Sequence, residues 1–487
     1  MKVLTYSQIK TAEETAVNNG LFSYVEMMQN AGDAAFEVIN QRYLVTGKRF
    51  LIIAGCGNNG GDGIVLANKL KNIGAFVSIF YPLGIPATDT ASGFIADAGD
   101  IPVINRIDGE FDYYVDALFG IGFNRMLSPE IKEVIDTVNS RSGVKIAVDL
   151  PSGVFCDGGM AQTAFRADLT VTFIAYKLCL LLPPTSSFCG EIILEDIGVD
   201  VGNNYSYGII EKEKAPVFDK NSHKGIFGTA LLVCGSYGMC GAQILSAKAA
   251  AVSGAGIVKS IVCDKNYTAF TQSVPEAVTI PVETSDGGAP VVYERTLLSA
   301  VNGADALLIG CGLGNTDEAK SLVKKVLTLS NIPTVLDADG INAIAGNISI
   351  ISNANYPLIL TPHPGEMARL LNTTVEDVQN NRVVYAKRFA CENRCVLVLK
   401  GANTVVAAPN GEVFFNVTGN YGMAKGGSGD VLSGIIVALL ANGCDPLTAA
   451  KTAVYVHGKA GDAAARRYTK RTMLPSDLLK EIKRISF

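Results

Sequence analysis

Gly419-Asn420-Tyr421-Gly422-Met423-Ala424-Lys425-Gly426-Gly427-Ser428-Gly429-Asp430 runs directly into an apolar helical pattern carried by Val431, Leu432, Ile435, Ile436, Leu439 and Leu440. Glycines let the backbone turn tightly, and the unpaired N–H groups at the positive end of the helix suit a phosphoryl group. Asp430 stands at the mouth of that anion hole. There a carboxylate can take the proton of an attacking hydroxyl while the N–H groups hold the transferring phosphoryl. A plainer reading makes Ser428 and Asp430 caps of a helix after a flexible loop, and the motif alone does not choose.

Upstream of this junction the chain alternates strand-like and helical runs. Strands are expected at Thr229–Cys234, Ala306–Gly310, Thr334–Asp337, Pro357–Thr361, Val396–Leu399, Thr404–Ala408 and Val413–Val417. The first half has the same rhythm, with Arg49–Ala54, Ala75–Tyr81, Tyr113–Leu118, Lys145–Asp149, Leu169–Phe173 and Ile193–Ile197. Alternating β and α units predict largely parallel sheets with ligand crevices at the strand carboxyl ends. Between the halves the composition shifts, through Gly202-Asn203-Asn204 and then Glu211-Lys212-Glu213-Lys214-Ala215-Pro216. Two α/β domains are therefore expected, residues 1–212 and 213–487.

Composition bounds the function. A chain of 487 residues, 48% hydrophobic and with 50 glycines, has the makeup of a globular α/β protein rather than a disordered one. A net charge of −5 argues against a dedicated nucleic-acid or anionic-membrane binder. The basic cluster Arg466, Arg467, Lys470 and Arg471 reads as a solvated helix end. Eleven cysteines without regular spacing point to reduced thiols in a cytoplasmic protein, with neither a disulfide framework nor a zinc site. The first residues lack an apolar signal core, and the greasy stretch Leu169–Pro184 is interrupted by Lys177 and Pro183-Pro184. A soluble protein is expected.

In the first half, Arg49–Ala54 leads into Gly55-Cys56-Gly57-Asn58-Asn59-Gly60-Gly61-Asp62-Gly63, with a helix expected from Ile64. The run formally satisfies the dinucleotide fingerprint, but the strand ending at Phe80-Tyr81-Pro82 lacks the usual ribose-binding acid. An ordinary nicotinamide dehydrogenase is thereby disfavoured. Two further strand ends, Asp116-Ala117-Leu118-Phe119-Gly120 and Asp149-Leu150-Pro151-Ser152-Gly153, bring acids toward the same crevice. One such aspartate is more often a cap or turn former; three converging acids favour a site.

With GNNGGDG, DALFGIG and DLPSG in this order, preceded by Met28-Gln29-Asn30-Ala31-Gly32, residues 1 to about 210 resemble the NAD(P)H-hydrate epimerase family. The resemblance implies a Rossmann-like three-layer sandwich that interconverts R and S hydrates of NADH and NADPH with bound potassium. It carries the potassium site onto Asn59, Asp116 and Ser152. Ligand contacts fall on Asn58, Asn59, Gly60, Gly61 and Asp62, on the segment from Gly120, and on Asp149, which is expected as general acid/base.

Residues 215–487 carry Gly310-Cys311-Gly312-Leu313-Gly314, Asp337-Ala338-Asp339-Gly340, Thr361-Pro362-His363-Pro364-Gly365-Glu366, Lys400-Gly401-Ala402-Asn403-Thr404 and the anion-hole segment. Together these resemble the NAD(P)H-hydrate dehydratase family, which has a ribokinase-like fold. The resemblance implies that Lys400, Gly401, Ala402, Asn403, Thr404 and Gly429 contact an adenine nucleotide, and that Ala242, Gly312, His363 and Asp430 contact the hydrate. Asp430 would be the base. ADP with magnesium is the expected donor, ATP remaining open. His363 between two prolines also reads as a turn brace, and Asp337 and Asp339 as helix caps. Tyr421 and Lys425 stand where many relatives have Pro and Thr, and Lys425 is expected to lie beside the phosphate.

The expected protein is thus a cytoplasmic homo-oligomer acting on NADHX and NADPHX, with neither nucleic acid nor membrane as partner. Two readings compete. One is a ribokinase-type kinase of a small vitamin precursor; the other makes the first half a non-catalytic binding module.

Overall fold

The computed structural model describes residues 1–485 except 87, 203–204, 213–215 and 217–218. The chain divides into two compact units, Met1–Gly208 and Ile209–Phe487. Part of the stretch where the composition shifts lies outside the described residues, including Glu213, where the second domain was expected to begin.

The strands of the first unit are Lys2–Val3 (β1), Arg49–Ala54 (β2), Phe76–Phe80 (β3), Val103–Ile104 (β4), Tyr113–Ala117 (β5), Val144–Val148 (β6), Leu169–Phe173 (β7) and Glu191–Glu195 (β8), followed at its end by Tyr207–Ile209 (β9). Its sheet has the order β4-β3-β2-β5-β6-β7-β8 with every neighbouring pair parallel. The strands read as continuous apolar runs because both faces are covered. Phe50, Ile52 and Ala54 pack with the helices Tyr24–Arg42 and Asn58–Asn72, while Leu51 and Ile53 pack with Pro129–Ser140 on the opposite face. This is the expected three-layer sandwich. Strand order reverses between β2 and β5, so a crevice opens where Gly55 and Leu118 leave the sheet.

In the second unit the strands are Thr229–Val233 (β10), Ile257–Cys263 (β11), Val278–Thr284 (β12), Pro290–Val291 (β13), Ala306–Ile309 (β14), Thr334–Leu336 (β15), Leu358–Leu360 (β16), Val396–Leu399 (β17), Thr404–Ala407 (β18) and Val413–Asn416 (β19). They follow the order β19-β18-β17-β16-β15-β14-β10-β11-β12-β13. The run from β17 to β12 is parallel, and β18, β19 and β13 add antiparallel edges. The helices Cys240–Val252, Ser428–Ala441 and Pro446–Tyr468 share one core with Ala230, Leu232 and Cys234.

Strands β11 and β12 were not expected from the sequence. Lys259 and Ser260 interrupt the apolar run of the first, and Pro281 sits inside the second. Proline is tolerated because β12 is only partly covered, with Val278, Pro281 and Glu283 exposed along it.

Gly55 shows how tightly the first crevice is built: a Cβ there would lie 1.9 Å from the carbonyl oxygen of Leu118. Neither backbone can yield without separating β2 from β5. Gly55→Ala is expected to cost ~1–3 kcal/mol, read as a lower thermal midpoint together with reduced activity of the first site.

Candidate active sites

At the first switch point the helix begins at Asn58, earlier than the expected Ile64, so Asn58–Asp62 form its first turns rather than a loop. Gly57 is its N-cap, and no side chain caps it. The uncapped N–H groups therefore face the crevice as an anion-binding end. Gly60 and Gly61 allow this turn to pack closely. A Cβ on Gly60 would lie 2.0 Å from the Gly55 oxygen, and one on Gly61 2.4 Å from the Met28 sulfur.

Asp116 ends β5 almost fully buried. Its Oδ1 accepts from Ser152 Oγ at 2.7 Å and from the Leu118 N–H at 3.1 Å, and its Oδ2 accepts from the Ser152 N–H at 2.6 Å. Burial pushes its carboxyl up to about 6 against these hydrogen bonds. No cationic side chain pairs with it among the described residues. The neighbouring Asn59 side chain is 7% exposed, and neither its oxygen nor its nitrogen has a hydrogen-bond partner among them.

Asp149 follows β6 with φ 66°, a left-handed conformation that costs a non-glycine residue roughly 1–3 kcal/mol. Its N–H donates to Val171 O at 2.7 Å, which holds the turn. The carboxylate oxygen Oδ1 accepts from Lys177 Nζ at 2.6 Å and from Thr172 Oγ1 at 3.3 Å. Lys177 is itself 1% exposed and also donates to Thr172 Oγ1 and Phe173 O. The other oxygen, Oδ2, faces Gly120: a Cβ on that glycine would stand 3.3 Å from it and 3.3 Å from Asn59 Cβ. Asn59, Gly120 and Asp149 thus meet in one cavity of about 480 Å³, which Asp62, Glu13 and Lys177 also line. Burial, then Asp149 and Glu13, push the Asp62 carboxyl well above the ordinary range.

In the second unit Gly427, with φ 97°, precedes the helix Ser428–Ala441, which also lacks a side-chain cap. The plainer capping reading of Ser428 does not hold, because its Oγ pairs with His457 Nε2 at 3.3 Å. Asp430 lies in the helix's first turn; burial and then the nearby Asp337 push its carboxyl up to about 6.

Asp337, at the end of β15, is 1% exposed. Its Oδ1 accepts from Lys400 Nζ at 2.7 Å and its Oδ2 from Ser433 Oγ at 2.7 Å. Burial disfavours its charge, but Lys400 outweighs that and holds the carboxyl below the usual range. Lys400 is also 3.8 Å from Glu366 Oε2, and a Cβ on Gly429 would lie 3.3 Å from its ammonium. A cation therefore stands beside the uncapped helix start. Asp337 is no helix cap, and Asp339 instead accepts from the Gly314 N–H at 2.8 Å.

His363 does brace its turn. Its Nδ1 accepts from the Gly365 N–H at 2.9 Å and caps the helix Pro364–Leu371, leaving the half-exposed ring edge 3.3 Å from Glu366 Oε1. Burial, then Lys400, hold its imidazole below the usual range. Ala242 and Gly312 adjoin, since a Cβ on Gly312 would lie 2.8 Å from Ala242 Cβ. Lys400, Gly401, Ala402, Asn403 and Thr404 form the turn between β17 and β18, with Gly401 at φ 140° and Asn403 at φ 51°. The buried Arg382 braces that turn through Leu399 O at 3.0 Å and Lys400 O at 3.3 Å. Lys425 departs from expectation: its ammonium donates to the carbonyls of Arg471 and Met473, so it is not the free cation expected beside the phosphate.

Lys177, Ser433, Arg382 and His457 were not anticipated as parts of the sites. Only Lys177 left a signal, as a lysine inside the apolar run Leu169–Pro184.

Each unit is thus a parallel α/β scaffold with acids and an uncapped helix start at its strand carboxyl ends, the layout of an enzyme acting on phosphate-bearing small molecules. Comparison with known proteins makes this specific. Residues 230–484 match the NAD(P)H-hydrate dehydratase family, and residues 25–179 match the YjeF-related protein N-terminus. The bifunctional NAD(P)H-hydrate repair enzyme Nnr of Moorella thermoacetica is 35% identical over 98% of this chain and 95% of its own length. That of Escherichia coli K12 is 34% identical over 98% and 92%. The ADP/ATP-dependent NAD(P)H-hydrate dehydratase of Bacillus subtilis, co-crystallised with ATP/Mg2+, is 35% identical over 55% of this chain and 92% of its own, with a TM-score of 0.48.

The chain belongs to the bifunctional NAD(P)H-hydrate repair enzymes. It joins an isomerase, the hydrate epimerase, to a hydro-lyase, the hydrate dehydratase. Both competing readings, the vitamin-precursor kinase and the non-catalytic module, give way to relatives that share both halves.

Lys177→Met leaves Asp149, partly buried in the cavity wall, without its counter-charge. A loss of ~1–3 kcal/mol is expected, measured as a lower urea midpoint of the full chain; an unchanged midpoint would show that the pair does not support the fold.

Proposed function

We propose that the first site inverts the hydroxyl-bearing ring carbon of hydrated NADH and NADPH with Asp149 as general acid/base. In the second site, we propose, Asp430 initiates dehydration of the S form at the expense of ADP, leaving AMP and phosphate. The observation that carries the second assignment is the joint placement of Asp430, the Lys400 ammonium and the uncapped start of Ser428–Ala441. Asp430 takes the hydroxyl proton as the oxygen attacks the terminal phosphoryl group, and the Gly427–Gly429 amides hold the charge that develops. The ring hydroxyl is a poor leaving group and its phosphate ester a good one. Phosphate then departs with the ring nitrogen's lone pair assisting, and loss of a proton from the adjacent carbon restores the double bond.

The nucleotide is assigned to Lys400–Thr404 and Gly429, and the hydrate to Ala242, Gly312, His363 and Asp430. In the first site the hydrate is assigned to Asn58–Asp62, Gly120 and Asp149. Potassium suits Asn59, Asp116 and Ser152, an all-oxygen set: the Asn59 amide is buried and unpartnered, and Asp116 is buried without a cation. When bound, it would supply positive charge near the ring hydroxyl. Magnesium fits as a passenger on the nucleotide phosphates. The nearest acidic group, Cys311, Asp337 and Asp430, offers a soft thiol and an Asp337 already held by Lys400. All the cysteines are free, which accords with work in the cytoplasm, and among the described residues no helix is long and apolar enough to cross a membrane.

Recovery of NADH absorbance from mixed R and S hydrates, with potassium and magnesium, tests this reading. Full recovery is expected with ADP, arrest at the S fraction in Asp149→Asn, and no recovery in Asp430→Asn. Full recovery by either variant would remove that residue from its role. Because the base must be ionised and its carboxyl is raised to about 6, dehydration of pure S hydrate should slow as pH falls through about 6. A rate flat across that range would count against Asp430.

A further inference from the structure

Inversion by ring opening needs two proton-handling groups. When the bond from the hydroxyl-bearing carbon to the ring nitrogen breaks, the hydroxyl proton goes to a base, the carbon becomes an aldehyde, and the bonding pair stays on nitrogen. That nitrogen must gain a proton. Closure on the opposite face of the aldehyde returns both protons, so nothing is consumed and no co-reactant is required. Asp149, ion-paired with Lys177, accounts for one group only.

The helix Tyr6–Asn18 carries Glu13 into the wall of the same cavity, together with Asp149, Lys177 and Asp62. Ile9, Ala12 and Ala16 are buried on this helix, while Glu13 lies partly open toward the cavity. Among the described residues its carboxyl has neither a hydrogen-bond nor an ion-pair partner. An acid placed in a ligand cavity without a structural partner is available for the ligand. Resting on the reading of Asp149 as the hydroxyl's base, we infer that Glu13 is the catalytic residue that donates a proton to the ring nitrogen on opening and recovers it on closure.

The surroundings agree. Burial first, then the Asp149 charge, push the Glu13 carboxyl up to about 7, with Glu14 adding to this while Lys177 and Lys10 oppose it. Asp62, from the helix Asn58–Asn72, faces it as well. Glu13 therefore holds its proton below pH 7 and still in part at neutrality. Two acids of one cavity in unlike environments can divide donor and acceptor work.

The test is epimer exchange in the full chain with potassium, followed by NMR from pH 5 to 9, for wild type, Glu13→Gln, Glu13→Asp and Asp149→Asn. Wild-type exchange should fall as pH rises through about 7. Glu13→Gln should lose at least about tenfold at pH 6 and lose that alkaline limb. Glu13→Asp should recover part of the rate, with the limb displaced. KM for the hydrate and the melting curve report whether a substitution merely disturbs the fold. A Glu13→Gln enzyme with wild-type rate and alkaline limb overturns the inference, as does a rate loss that leaves the limb in place. Exchange surviving in Asp149→Asn would instead overturn the underlying role of Asp149, a result read separately.

Discussion

A lysine ammonium taken out of water must meet a carboxylate, and each half of this chain is organised around one such meeting. Lys177 pairs with Asp149 at 2.6 Å and Lys400 with Asp337 at 2.7 Å. All four groups lie at or just beyond carboxyl ends of parallel strands, where sheet hydrogen bonding stops and the backbone is free to turn. Such pairs add little net stability compared with apolar residues of the same shape, but losing one partner strands a charge. Their consequence is positional. Each lysine fixes an acid in a crevice and leaves a neighbouring acid, Glu13 in one unit and Asp430 in the other, without a tight cation of its own.

That division explains how similar scaffolds serve different chemistry. In the first unit the second acid comes from a helix flanking the crevice, and several carboxyls share one cavity with the uncapped turn Asn58–Asp62. Proton exchange without a leaving group suits this arrangement. In the second unit the acid sits within the helix start itself, beside a lysine and a run of small residues. A Cβ on Gly429 would stand 3.3 Å from the Lys400 ammonium, so the glycine keeps that side of the helix start clear, while Gly427 supplies the φ 97° turn into the helix and leaves room for Leu245. Epimerisation needs paired proton carriers, whereas dehydration by phosphorylation needs a base next to an anion hole.

Backbone conformation holds both arrangements. Asp149 has φ 66° and Ala338, immediately after Asp337, has φ 50°. Neither is a glycine, so each turn carries strain that neighbouring hydrogen bonds must sustain. The N–H groups of Asp149 and Asp337 donate to Val171 O and Ile309 O on adjacent strands, tying each acid to its sheet. Glycines take the positions where two backbones nearly touch: a Cβ on Gly310 would lie 1.9 Å from Asp337 O.

Much of this was legible in the linear chain, because motifs joined to strand ends have local causes. Apolar runs followed by glycine and aspartate announced β2, β5, β6 and β15 and the acids at their ends, and the Gly427–Asp430 junction announced a helix start able to hold phosphate. Strands interrupted by Lys259 or Pro281 escaped notice, since their place depends on neighbours rather than on their own periodicity. The same holds for charge. Sequence named Asp149 and Asp430 as candidates and read Asp337 as a helix cap, but not that Lys177 and Lys400 would pair with Asp149 and Asp337 and leave Asp430 raised, nor that Lys425 would be engaged by distant carbonyls. Local patterns follow from steric and hydrogen-bonding rules that act over a few residues. Which charges meet depends on burial and on distances between segments far apart in the chain, and only the folded structure decides them.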